Sequence, residues 1–396
     1  MNANVEGRGG IIMKVAVLGT GMIGGTVVKE LTNHPSIECI YVVDGVQESI
    51  DRCIDKAGSS HVIGKIAVIN GKDDMYQVLT EIEADIAVAC LPHALSLPTI
   101  EAAIDATCHI VDLVGSLFEE KKALHKKAEE AGVLIVPGCG VAPGITNFLA
   151  ARGVELLDET DEVVMICGGI PKDPLPPLWY QIVFRLESLM GLYTRPALAA
   201  ENGELVHLKP LSGLEQMTFP EPVGACEAVI TDAHSTAYTL KDKAKKVYEK
   251  TVRYKGHWEK MGVLAELGFF SEEKIDVEGT LISPMKMTEK IVEPHLRGDS
   301  NKDITALRVT AEGKKDGRRL THIWEMVDHY DEMRDITSMA KTTAMPAVLV
   351  AERIINGEIQ NTGVIPVEEI IIGEQFDPFI KDLQKKGIHI SYRTDE

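Results

Sequence analysis

The first 140 residues read as a regular alternation of short apolar runs and amphipathic stretches. Lys14-Val15-Ala16-Val17-Leu18 predicts a buried strand, and Gly19-Thr20-Gly21-Met22-Ile23-Gly24 follows it directly. A helical pattern continues through Thr26–Leu31, and a second apolar run, Ile40–Val43, closes on Asp44. Four further runs, Lys65–Asn70, Asp85–Leu91, His109–Asp112 and Val133–Val136, predict strands. Met75–Ile82, Leu97–Ala106 and Phe118–Ala131 predict helices, the last stopped by Gly132 as a C′ glycine. Short strands that alternate with helices predict a doubly wound parallel sheet.

From Val141 the pattern changes. A helix is expected over Ile145–Leu157, with Asn147 near its start, and a strand over Glu162–Cys167. Pro171–Tyr180 is too rich in proline for regular structure. Gln181–Phe184, Leu198–Glu201, Leu205–Leu208 and Ala225–Ile230 read as strands, and Asp232–Leu240 as a segment over a cleft. Lys241–Arg253 carries five lysines before Thr251 and reads as a solvated basic face. His257–Leu267 predicts a helix. Ile304–Thr310 and Thr321–Val327, around the turn Lys314–Gly317, predict a hairpin. Ser338–Ile355 predicts a long helix, and Asp377–Lys385 a shorter one after the apolar run Glu369–Ile372. The expected fold is α/β: a Rossmann doubly wound parallel sheet over residues 11–138, an inserted mixed-sheet α+β domain for substrate and dimerisation over 139–335, and a helix and tail, 336–396, returning to the first domain.

Composition narrows the partners. A net charge of −19 argues against nucleic acid and anionic membrane surfaces. No apolar run approaches the roughly 20 residues of a membrane span. Met1–Gly10 lacks the apolar core of a signal peptide and reads as a disordered lead-in. The seven cysteines show no Cys-x-x-Cys spacing and read as reduced thiols of a cytoplasmic protein. The histidines show no ligand spacing, so no metal is expected.

The glycine loop carries the first chemistry. Gly-x-Gly-x-x-Gly between strand and helix, with an acid about twenty residues on, is the arrangement of a dinucleotide-binding unit. Gly19 permits the turn, Gly21 admits the pyrophosphate, and Gly24 lets helix and strand pack; Met22 and Ile23 complete the loop. Asp44 would accept hydrogen bonds from a ribose 2′-hydroxyl and repel a 2′-phosphate, which favours NAD over NADP. Ligands of such sheets bind at the strands' carboxyl ends, so Leu91, Pro92, His93, Val114 and Gly138 are expected to rim the cofactor.

Longer motifs carry a resemblance. PGCGVAPGITN, Pro137–Asn147, resembles a segment of the saccharopine dehydrogenase family. CGGIPKDPLPPLWY (Cys167–Tyr180), LYTRPALAAENGEL (Leu192–Leu205), RYKGH (Arg253–His257) and DHYD with TSMAKTT (Asp328–Thr343) are similar to the lysine 6-dehydrogenases of that family. The resemblance implies hydride transfer from the ε-amine carbon of lysine to NAD, hydrolysis of the imine, and cyclisation of the aldehyde. It also implies a homodimer or larger homo-oligomer. Saccharopine reductases of the family carry an acid in the segment written here Val141–Gly144; this chain has Ala142.

Amine oxidation needs a neutral amine, although a lysine amine starts near pKa ~10.4, and a partner for the substrate carboxylate. Arg195 is the first candidate for the carboxylate, or else a surface arginine; Arg253 is the second. Asp112, at a strand's carboxyl end, and His234, in a polar segment, are candidate bases; a capping aspartate and a solvated histidine are their plain readings. Cys167 matches a cysteine beside the active site of saccharopine reductases, or is a buried strand thiol. Tyr180, Tyr193 and Trp179 line the substrate's methylenes or fill the second domain's core. Two other functions fit the loop: a saccharopine- or carboxynorspermidine-type reductase joining an aldehyde to an amine, and a non-catalytic NAD-binding redox sensor.

Overall fold

The computed structural model describes residues 12–182, 186–298 and 300–396. The expected lead-in before Ile11, and Val183 and Phe184 of the expected strand, lie outside the described residues. The chain divides into two units. One runs to Gly140 and takes in Thr343–Ile370; the other holds Val141–Thr342 and Ile371–Glu396.

The first unit is a seven-stranded parallel sheet. In chain order its elements are β1 (Met13–Leu18), α1 (Met22–Leu31), β2 (Ile37–Asp44), α2 (Gln47–Ala57), β3 (Val62–Ile66), α3 (Lys72–Ile82), β4 (Ile86–Ala89), α4 (His93–Asp105), β5 (His109–Asp112), α5 (Phe118–Ala123), α6 (His125–Glu130) and β6 (Leu134–Val136). The strand order 3-2-1-4-5-6 is extended beyond β6 by the two-residue strand Gly363–Val364. β1 and β4 are closed on both faces: Val15–Leu18 and Ile86–Ala89 are fully buried. This is why they read as unbroken apolar runs rather than alternating ones. The expected helix Phe118–Ala131 is two short helices, because the chain tightens at Leu124, whose N–H bonds the carbonyl of Lys121 only three residues back.

The second unit is built on a nine-stranded mixed sheet. Its elements are α7 (Ile145–Leu156), β7 (Glu159–Pro171), α8 (Leu186–Thr194), β8 (Ala197–Glu201), β9 (Glu204–Leu208), β10 (Glu215–Phe219), β11 (Gly224–Thr231), α9 (His234–Thr239), β12 (Ala244–Tyr254), α10 (His257–Glu266), β13 (Ile275–Val277), β14 (Thr280–Ile282), α11 (Pro284–Leu296), β15 (Asp303–Lys315) and β16 (Arg318–His329). α12 (Ser338–Ile355) then runs from this unit into the first. After β17 (Gly363–Val364), α13 (Val367–Ile370) and α14 (Phe376–Lys385) comes β18 (Ser391–Asp395). The sheet order is β10-β11-β12-β7-β15-β16-β18, with β8 beside β12 and β9 beside β8; β13 and β14 form their own pair. Only β12 and β7 run parallel; the other pairs of this sheet are antiparallel.

Two expectations change here. Lys241–Arg253 is a solvated basic face only in part: Lys243, Lys245 and Lys246 are exposed, but most of the segment is β12, an interior strand of the sheet. Its lysines pair with carboxylates on β7 and β10, Lys245 with Asp161 at 2.6 Å, Lys246 with Glu162 at 3.7 Å and Lys250 with Glu215 at 2.5 Å. The tail is also divided. β18 pairs with β16, and Phe379 and Phe376 of α14 pack edge-on against Phe148 of α7, so Ile371–Glu396 belongs to the second unit.

Candidate functional site

In the first unit the glycine loop has the shape its sequence requires. Gly19 sits at φ +92°, and a Cβ there would lie 2.6 Å from the Cys90 carbonyl oxygen. A Cβ on Gly24 would lie 1.9 Å from the Gly19 carbonyl oxygen. A Cβ on Gly21, by contrast, would meet nothing within 4 Å. Two glycines are therefore demanded by packing, and the third faces open space. α1 begins after Gly21 with no side-chain cap, so its first N–H groups remain for a ligand. Met22 is exposed and Ile23 half-buried beside that space. The loop thus fits a dinucleotide pyrophosphate.

Asp44 ends β2 in a fixed orientation. Its Oδ2 accepts the Thr20 N–H at 2.9 Å and the Thr20 hydroxyl at 2.8 Å, and its Oδ1 accepts the Val46 N–H at 3.0 Å. Burial pushes the carboxyl up, but these hydrogen bonds outweigh it and hold the group below the ordinary range. Asp44 is an ionised acceptor aimed by the loop itself.

The expected rim residues follow β4, β5 and β6 at their carboxyl ends. Leu91 and Pro92 lead into α4; His93 Nδ1 lies 2.6 Å from the Ser116 hydroxyl; Gly138 turns at φ +67°. Val114 is held by its neighbours: its N–H donates to Asp112 Oδ1 at 3.1 Å, and its carbonyl accepts from Lys121 Nζ at 2.5 Å. Asp112 itself is no free base. It is 1% exposed, and Oδ2 accepts from Ser96 at 2.6 Å and from Lys121 Nζ at 2.9 Å. The two buried charges neutralise each other and fix the chain after β5. This is the setting of an anchor for the chain after β5.

In the second unit, Val247, Glu249, Thr251 and Arg253 alternate along β12 and so share one face. Arg253 is 1% exposed. Its guanidinium lies 4.3 Å from the Tyr180 ring centroid and 5.6 Å from that of Trp258. Nη1 donates to its own strand at the Val252 carbonyl, while Nε and Nη2 have no acceptor among the described residues. Glu227 stands opposite Arg253 in the β11–β12 register, but its Oε1 accepts the Trp258 N–H at 2.6 Å instead, at the start of α10. A buried guanidinium with idle donors in an aromatic setting is a receptor for an anion.

Around it, His257 is fully buried. Burial, and then the charge of Arg253, lowers its pKa to about 3, so the ring is neutral. The Leu178 carbonyl, 2.9 Å from Nδ1, can only accept; the proton is therefore on Nδ1, and Nε2 accepts from the Tyr193 hydroxyl at 3.0 Å. Tyr193 also stacks on Phe270 and meets Trp258 edge-on, and burial raises its pKa. Tyr193 is thus part of the core, as its plain reading allowed, while Tyr180 forms the floor under Arg253. Burial raises the thiol of Cys167 well above the usual range, so it is not a thiolate. Arg195 is exposed and folds back toward Gly191; of the two candidates Arg253 is the buried one. His234, at φ +51° at the start of α9, has its Nδ1 3.7 Å from Asp232 Oδ2. Asn147, at the start of α7, accepts the Gly144 N–H and donates to Ser235.

Lys121 and Glu249 were not singled out by sequence. Lys121 lay in a charged helix where a buried lysine leaves no mark. Glu249 carried a signal, since the period of two through Val247, Glu249, Thr251 and Arg253 puts it on the face of Arg253, but the flanking lysines obscured that pattern.

The family models agree with this architecture. Residues 15–136 match the saccharopine dehydrogenase NADP binding domain, and residues 140–388 match the saccharopine dehydrogenase C-terminal domain. The mitochondrial alpha-aminoadipic semialdehyde synthase of Mus musculus is 20% identical over 95% of this chain and 47% of that protein; the chain thus spans about half the length of that relative. The carboxynorspermidine synthase of Vibrio alginolyticus is 21% identical over 95% of this chain and 96% of its own length. The apo saccharopine dehydrogenase (L-Glu forming) of Saccharomyces cerevisiae superposes with a TM-score of 0.79 at 18% identity, covering 97% of this chain and 100% of that one. With a Rossmann unit fit for a nicotinamide dinucleotide and a matching second unit, the chain belongs to the saccharopine dehydrogenase family of oxidoreductases.

Proposed function

We propose that the protein oxidises the ε-amino group of L-lysine with NAD, yielding the semialdehyde that cyclises to a piperideine carboxylate. The observation that carries this reading is Arg253, the one arginine buried in the second unit among the described residues, with two nitrogens that find no acceptor among those residues over an aromatic floor. One such receptor suits a substrate with one carboxylate. Saccharopine carries three, and each would need a cationic partner in a desolvated site.

The dinucleotide supplies a hydride acceptor at its nicotinamide when bound. The residues of the chain do the rest. Gly19, Gly21 and Gly24 shape the pyrophosphate loop, and Asp44 receives the adenosine ribose. The family model is described as NADP binding; the ionised, oriented Asp44 supports NAD, because a 2′-phosphate would meet a negative charge there. Arg253 holds the α-carboxylate and orients the chain of methylenes. Loss of one ammonium proton and of a hydride from the adjacent carbon leaves an iminium ion, and water releases ammonium and the aldehyde.

The names of the relatives favour a second reading, a reductase that joins an aldehyde to an amine. The two are separated by one assay. NADH formation from lysine and NAD alone supports the first. Absence of NADH with lysine, together with NAD(P)H consumption when an aldehyde and an amino acid are both supplied, would overturn it.

A further inference from the structure

We propose that Glu249 is the specificity residue for the substrate's cationic nitrogen, forming with Arg253 a pair of opposite-charge subsites on one face of β12. The inference rests on the amine-substrate reading above and names the residue that selects the amine.

Glu249 is 5% exposed, and its Oε2 has no hydrogen-bond partner among the described residues. A carboxylate in that state costs several kcal/mol unless something pairs with it, and no cation among the described residues does. The neighbours in register are apolar or neutral: Met165 on β7 and Thr231 on β11. Thr236 of α9 lays its hydroxyl toward Met165 Sδ and donates it to the Ala233 carbonyl. The charged and titratable groups nearby are Asp232, which opposes a negative charge on Glu249, the un-ionised Cys167 on β7, and His234 beside Asp232. Arg253 is four residues along the same strand and engages Tyr180 and Trp258 instead. An ion pair within the fold is therefore not what Glu249 is kept for.

Four residues of strand span roughly 13 Å at about 3.3 Å each. With the reach of both side chains, an amino acid bearing a second amine some four carbons away bridges the two heads. The carboxylate lies on Arg253 and the ammonium on Glu249. Charge selection follows from the same arrangement: a substrate with a second carboxylate at that end meets a buried acid. Burial, and then the charge of Asp232, raises the Glu249 carboxyl well above the usual carboxylate range, which favours its acid form, and a paired ammonium favours the carboxylate. The carboxylic acid gives up its proton to solvent as the ion pair forms, so binding releases a proton.

The test is calorimetric titration of the full-length protein with L-lysine and with L-norleucine, which has the same carbon chain without the ammonium. Wild type is expected to bind lysine at least tenfold tighter than norleucine, with proton release detected by repeating the titration in buffers of different ionisation enthalpy. Glu249→Gln is expected to lose that tenfold preference and the proton release while binding norleucine unchanged. Glu249→Asp is expected to retain part of the preference. Equal loss of both ligands in Glu249→Gln, unchanged lysine binding in that variant, or no preference for lysine in wild type would each overturn the proposal. Turnover is read separately. Wild type that shows the preference but forms no NADH sinks the oxidation reading and leaves Glu249 standing. Glu249→Gln that oxidises lysine with an unchanged KM does the reverse.

Discussion

Lys121 and Asp112 form an ion pair at 2.9 Å with both side chains closed to solvent, at 0% and 1% exposure. Ser96 and the Val114 carbonyl complete the coordination of the two charges. Removing one partner of such a pair strands the other, at a cost of about 3–5 kcal/mol. Lys121→Met is therefore expected to lower the urea midpoint sharply, and Lys121→Met with Asp112→Asn to recover much of the loss. If Asp112 anchors rather than transfers protons, Asp112→Asn that remains folded keeps the wild-type pH dependence of kcat. A lost acidic limb in that profile would restore Asp112 as the base.

In the proposed function Asp44 selects NAD through a charge the loop itself positions. Thr20 donates twice to Oδ2 and Val46 once to Oδ1. Replacing Asp44 by Ser removes the acceptor for the ribose diol and the repulsion of a 2′-phosphate. The ratio of kcat/KM for NAD to that for NADP is expected to fall about tenfold or more, tenfold being about 1.4 kcal/mol. Steady-state kinetics with both cofactors measures it. A ratio that does not move would remove Asp44 from recognition.

Arg253 combines a charge with a stacking plane, and lysine reproduces only the charge. A charge-assisted hydrogen bond contributes about 1.5–3 kcal/mol, roughly 10- to 100-fold in affinity. Arg253→Lys is expected to raise the KM for lysine within that range and to leave the KM for NAD unchanged. Arg195→Ala, at an exposed position, is expected to change neither. Should Arg195→Ala raise the lysine KM and Arg253→Lys not, the two assignments exchange.

What could be read from the sequence was what local rules enforce. The glycine loop was legible because Gly19 and Gly24 answer a steric demand at their own positions and Gly21 opens the space for a ligand, and Asp44 because its distance from the loop is fixed by one helix and one strand. Ser338–Ile355 was read with the bounds it has, and the hairpin of β15 and β16 turned where Asp316-Gly317 requires. β12 was hidden because its lysines look solvated, and the acids that pair with them, Asp161, Glu162 and Glu215, come from other strands. β18, whose residues are all exposed, has no apolar face to announce it. The roles of Asp112, Glu249 and Arg253 depend on which charges meet in space. A lysine nine positions beyond Asp112 and a missing partner for Arg253 are tertiary facts.

The buried ring of His257 makes stability pH-dependent with a definite sign. Its folded pKa is lowered to about 3 by burial and by Arg253, while an unfolded histidine titrates near 6.5. The unfolded chain therefore binds the extra proton, so this contribution is complete above about pH 6.5 and declines as pH falls below it, by roughly 2 kcal/mol at pH 5. Asp303 works in the opposite direction. Burial raises its carboxyl to about 6, against the hydrogen bonds it accepts from Met339 and Ser338 at the start of α12. The native state then holds a proton that the unfolded chain has released, so acidification from pH 7 to pH 5 stabilises through Asp303 and partly masks His257. Single-site variants separate the two. Between pH 7 and pH 5, His257→Gln is expected to lose less stability than wild type and Asp303→Asn to lose more, as read from urea unfolding at each pH. Two variants that follow the wild-type pH dependence would mean that neither proton is held as the burial of these groups requires.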